Sequence, residues 1–212
     1  MPRAAAAMDD EQVAGTAGTP QTRVTVSEIH GVLFTVAGEE NPDAEAELLI
    51  TGLFAHHPPH HRFGGALGRL DAALSGALHG LGRDHLFAGR RGETLLLSAP
   101  PASIAARAVL LVGLGELGDW NAEAAAAVAA SAMRETLLLG VASVRFAPWL
   151  QDGGLTPAAT RGTAAAMLAG ARRVLETRPR GAPPPALRLW IFAPGLEWRD
   201  VTIHELRGLP KA

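Results

Sequence analysis

The stretch Arg107 to Asn121, RAVLLVGLGELGDWN, constrains the chain more than any other. Five apolar residues, Ala108 to Val112, empty into Gly113, Gly115 and Gly118, which reads as a buried strand ending in a turn. Asp119 and Asn121 offer helix caps, because a short side-chain oxygen accepts the unpartnered amides of a first helical turn. Behind them Ala122 to Leu139 is alanine-rich, contains neither proline nor glycine, and predicts one helix with Gly140 as its C-terminal cap. A strand-loop-helix unit cannot bury its own apolar surface, so the rest of the chain must supply neighbouring layers.

The flanking sequence does so. Arg23 to Ile29 alternates, and His30-Gly31 turns it into a second run, Val32 to Val36, which predicts an antiparallel pair at a sheet edge. Gly38 to Asp43 reads as a loop, and Glu47 to Ala55 is apolar on both faces, the mark of a strand inside a covered sheet. Leu67, Leu70, Leu74, Leu78 and Leu81 recur at three- and four-residue steps, predicting one helix ended by Gly80 and Gly82. Strands follow at Glu93 to Ala99 and Val141 to Ala147. Thr156 and Pro157 then open a second alanine-rich helix reaching about Glu176. Pro179 to Pro185 is a stiff connector, Leu187 to Ala193 a last inner strand, and Asp200 to Glu205 an added edge. The expected fold is α/β: a three-layer α/β/α sandwich with a mixed central sheet. Residues 1–21 read as a disordered tail, and 22–212 as a single domain.

Composition removes several chemistries. There is no cysteine, and Lys211 is the one lysine. Thiol catalysis, disulfides, a phosphate-loop lysine and an internal Schiff base are excluded on that ground. A net charge of -2 provides no global field for nucleic acid. No stretch is apolar for long enough to span a membrane, and the N-terminal alanine run meets Asp9, Asp10 and Glu11 instead of forming a signal-peptide core. The expected location is the cytoplasm, which the lack of cysteine fits.

From about Asp43 to Glu176 the order of segments resembles the N-terminal domain of the leucyl aminopeptidases, or cytosol aminopeptidases. The resemblance lies in GRLDAALSGALHGL (Gly68 to Leu81), DHLFAGRRGETLLL (Asp84 to Leu97), AVLLVGLGE (Ala108 to Glu116) and the alanine-rich helix after them. It implies a macro-domain-like fold, and, in the enzymes, a following catalytic domain that binds two metal ions. No segment of the NTDAEGRL type that carries those ligands occurs here, so the expectation is a domain without peptidase chemistry, acting in binding, assembly or regulation. The resemblance implies self-association or an aminopeptidase-type partner; one form of this is an accessory subunit whose catalytic half lies on another chain. A looser resemblance to true macro domains implies an alternative, a site for ADP-ribose or a related nucleotide, with hydrolase activity as its extension. The asparagine-rich strand end of those domains is replaced by Thr51-Gly52-Leu53-Phe54.

Gly64-Gly65 and Asp152-Gly153-Gly154 precede helices, where backbone N–H groups can receive an anion. Gly113, Gly115 and Gly118 match the dinucleotide fingerprint, but no acid for a ribose follows the next strand, so turn glycines are the simpler reading. His56, His57, His60 and His61 are the metal candidates; Pro58 and Pro59 hold that loop extended and splay the rings, so neither metal nor cofactor is expected. The serines lie outside any nucleophile elbow. Asp71 and Asp84 form no evident carboxylate pair, Asp71 being expected to face solvent beside Arg69. Trp149, Trp190 and Trp198 read as core or interface anchors.

Overall fold

A computed structural model of the protein describes residues 23–37, 46–55, 63–179 and 181–208. The expected α/β sandwich is present. Seven strands, β1 (Val24–Ile29), β2 (Val32–Val36), β3 (Leu48–Phe54), β4 (Thr94–Ser98), β5 (Ala108–Gly115), β6 (Ser143–Ala147) and β7 (Leu189–Phe192), form one sheet in the order β1-β2-β7-β6-β3-β5-β4. The inner five are mutually parallel, and the two edges, β1 against β2 and β4 against β5, are antiparallel. The parallel strands are apolar on both faces because helices cover both.

Alternation sorts the side chains. Leu48, Ile50, Leu110, Val112, Val144, Phe146, Trp190 and Phe192 face α3 (Ala122–Leu139), α4 (Thr163–Glu176) and α5 (Arg199–Arg207). Leu49, Leu53, Val109, Leu111 and Ala147 face α1 (Gly65–Ala73) and α2 (Ala77–Arg83). At the opposite end of the strands Glu47 ties three of them together. Its carboxylate accepts the Ala142 N–H at 2.6 Å and pairs with Arg107 at 3.2 Å, while its own N–H donates to Ser143 Oγ.

The helix over Ala122–Leu139 matches the sequence reading at both ends. Asn121 Oδ1 accepts the Ala124 N–H at 2.9 Å, and Gly140 takes the left-handed conformation at φ 66°. Other readings are corrected. The leucine stripe belongs to two helices, because Ser75 and Gly76 both have positive φ and break the chain between α1 and α2. Asp71 does not simply face solvent: its Oδ1 accepts the N–H groups of Leu78 and His79 and so caps α2, which runs through Gly80 and Gly82 to Arg83. Thr156 and Pro157 open only a 3-10 turn, Pro157–Thr160, and α4 begins after Gly162 at φ 75°. The expected edge at Asp200 to Glu205 is α5 instead. The predicted loop at Gly38 to Asp43 is outside the described residues for all its length, as is the tail.

α3 and α4 make the closest helix contact, and Gly170 permits it: a Cβ there would run into the Ala126 backbone carbonyl. Gly82, inside α2, has open space around it. We therefore expect Gly170→Ala to destabilise the domain by about 2 kcal/mol through overpacking. Gly82→Ala should stabilise it by roughly 0.5–1 kcal/mol through helix propensity. Urea denaturation midpoints of the two variants check both signs.

Candidate functional site

The parallel strands deliver their outgoing loops to one end of the sheet, the end at which sheets of this type receive ligands. The loop after β3 leads to α1, whose N-cap Gly64 has no side chain to accept the first amides. The loop after β6 meets this need. Asp152 Oδ2 accepts the Leu67 N–H at 3.0 Å, across 85 residues of sequence. Gly65, at φ 51°, lies so close that a Cβ would clash with the same carboxylate. A negative charge at a helix N-terminus is favourable, so the position an anionic ligand would take at α1 holds a protein carboxylate.

The loop itself is internally bonded. The N–H groups of Gly153, Gly154 and Leu155 donate to the carbonyls of Trp149, Gln151 and Leu150. Gly153 lies against the ring of Phe54, which makes an edge-on contact with Trp120 at 5.8 Å between centroids. Of the glycines in the sequence motifs, the structure thus brings Gly64-Gly65 and Asp152-Gly153-Gly154 together. Gly113 and Gly115 belong to β5, where Gly115 pairs with Phe54 at the same end of the sheet. β5 does not end at Gly113 but runs through both, and their N–H groups donate to the carbonyls of Glu93 and Gly89. A side chain at 113 would strike the Arg90 carbonyl, so this glycine serves close backbone packing.

A cavity of about 130 Å³ opens beside Gly65 and Asp152. Its walls come from the ends of β6 and β7 (Phe146, Phe192), the first turns of α4 (Thr163, Met167) and α5 (Val201, Thr202). Trp149 and Trp198 also line it. Glu205, another lining residue, accepts the Gly162 N–H at 2.8 Å and joins α5 to the start of α4. The α4 and α5 walls were missed in the sequence reading. The signal for α5 was the four-residue step between Thr202 and Leu206, its buried positions, masked by the alternation of Val201 and Ile203.

The remaining candidates separate. His56, His57, His60 and His61 lie outside the described residues. Among the described residues no three His, Cys, Asp or Glu side chains converge as a metal site would require. Asp71 caps α2, and Asp84 pairs with Arg83 at 3.0 Å, whose hydrogen bond holds its carboxyl below the ordinary range. Trp190 is fully buried. Among the described residues no helix is long and apolar enough to cross a membrane.

Residues 59–173, more than half of the chain, match the cytosol aminopeptidase family, N-terminal domain. The chain belongs to that family. Among solved structures, this aminopeptidase-type domain is similar to a mutant tomato leucine aminopeptidase, with TM-score 0.63 and 18% identity, covering 86% of this chain and 37% of that one. The sequence thus spans little more than a third of that relative. The Trypanosoma brucei macrodomain is similar at TM-score 0.61 and 19% identity, with 89% of this chain and 72% of that chain covered. The Oceanobacillus iheyensis macrodomain with ADP aligns at TM-score 0.64 and 14% identity, over 89% and 96%. At these identities the structures share the fold, which is macrodomain-like. No curated protein matches the sequence.

The bond from Leu67 to Asp152 has a measurable weight. Asp152→Ala should cost about 1 kcal/mol, the usual loss of a helix cap, whereas Asp152→Asn, which keeps an acceptor oxygen, should cost less. Chemical denaturation of the three proteins gives the order.

Proposed function

We propose that this aminopeptidase N-terminal domain works by binding, assembly or regulation and carries out no bond chemistry of its own. The observation behind this reading is the Asp152 carboxylate at the start of α1, which fastens the loop after β6 to the first turn of that helix, where an anionic substrate would otherwise sit. Family membership supports an association with a peptidase, whether through self-assembly or by docking to a catalytic half on another chain.

A second reading draws on the fold. The Oceanobacillus iheyensis macrodomain has ADP bound, and a Trypanosoma brucei macrodomain is in complex with ADP-ribose. A nucleotide site in this chain would occupy the cavity beside Asp152. Among the described residues three carboxylates line that cavity, Asp152, Glu197 and Glu205, and a diphosphate would have to approach them.

Light scattering across a concentration series tests the first reading. Association of the domain with itself, or with an aminopeptidase chain added to it, is the expected result, and a monomer indifferent to both would count against it. Millimolar ADP-ribose should leave the melting temperature unmoved; a saturable rise would favour the second reading. Peptide hydrolysis by the purified chain with manganese or zinc should be absent, and its appearance would refute the non-catalytic assignment.

A further inference from the structure

The cavity beside α4 and α5 has a size, a wall and a charge, and the three point the same way. At about 130 Å³ it is close to cavities of about 150 Å³ that hold a benzene molecule, so its occupant is compact. Phe146, Phe192, Trp149 and Met167 give it an apolar and largely aromatic wall. Among the described residues, the lining side chains with a formal charge are the carboxylates Asp152, Glu197 and Glu205. Asp152 and Glu205 are held in place by the Leu67 and Gly162 amides.

We propose that this cavity binds a compact organic cation: an ammonium group on an apolar body. The carboxylates attract the charge, and they do so more strongly at a partly dry surface than in bulk water. Aromatic walls tolerate an ammonium group that aliphatic walls would penalise, because the ring faces carry negative charge. A phosphate or carboxylate ligand gains neither contribution. The inference does not depend on the assembly role: a cation site is compatible with a monomer and with an oligomer, and binding is read separately from mass.

Choline is the probe, and its neutral carbon isostere, dimethylbutanol, is the control, since the two share shape and hydroxyl and differ in charge. Titration followed by tryptophan fluorescence, at fixed ionic strength, should show saturable choline binding and at least about tenfold weaker binding of the isostere. Glu197→Gln removes an exposed carboxylate and should weaken choline about threefold with the melting temperature unchanged. Equal affinity for choline and the isostere overturns the charge argument. No saturable response to choline, or displacement of choline by ADP-ribose at comparable concentration, overturns the proposal.

Discussion

The pairing of β3 with β5 is the constraint from which the rest follows. Seven residues of β3 run parallel to β5, from Leu48 beside Ala108 to Phe54 beside Gly115. Both strands are buried on each face, so α1 with α2 must cover one side, and α3, α4 and α5 the other. Such a pair tolerates little bulk at certain points. Gly52 lies beneath Leu114, where a Cβ would come within 2.6 Å of that side chain, and Gly113 lies against the turn before β4. Because the inner strands are parallel, the loops after β3, β6 and β7 share one end of the sheet, and the cavity forms there for a topological reason.

What that end of the sheet can bind is then decided by side chains, and Asp152 decides most. A glycine-only helix start with no cap of its own is an anion site by default. Here a carboxylate from the loop after β6 satisfies it, so α1 gains a cap and is tied to that loop at the same time. Removing the carboxylate would free the Leu67 amide and loosen the edge of the cavity together.

The sequence disclosed elements that carry their own punctuation. Asn121 and Gly140 bracket α3 because each acts on amides or carbonyls within four residues of itself, and the β3 and β5 runs announce burial on two faces by composition. Where the deciding contact is distant, the reading failed. The leucine stripe continues across Ser75 and Gly76, since a break in the backbone does not disturb the spacing of apolar residues on either side. α5 has Trp198 as its N-cap residue, with no side-chain cap bond, so nothing in the local sequence marks its start. The Asp152 cap spans 85 residues; the one local hint was a helix start at Gly64-Gly65 lacking a serine, threonine, aspartate or asparagine to serve it.

The macrodomain-like fold and the family assignment leave the chemistry of the cavity open, because one scaffold can present different charges at the same place. The position of the cavity follows from the sheet, while its preference follows from Asp152, Glu197 and Glu205, none of which the sheet requires. Two of the three carboxylates also hold backbone amides, Leu67 for Asp152 and Gly162 for Glu205. They are therefore tied to the start of α1 and to the turn before α4, and changing the sign of the cavity would mean finding other acceptors for those amides. Reversing the charge at those two positions would leave the Leu67 and Gly162 amides without their carboxylate acceptors.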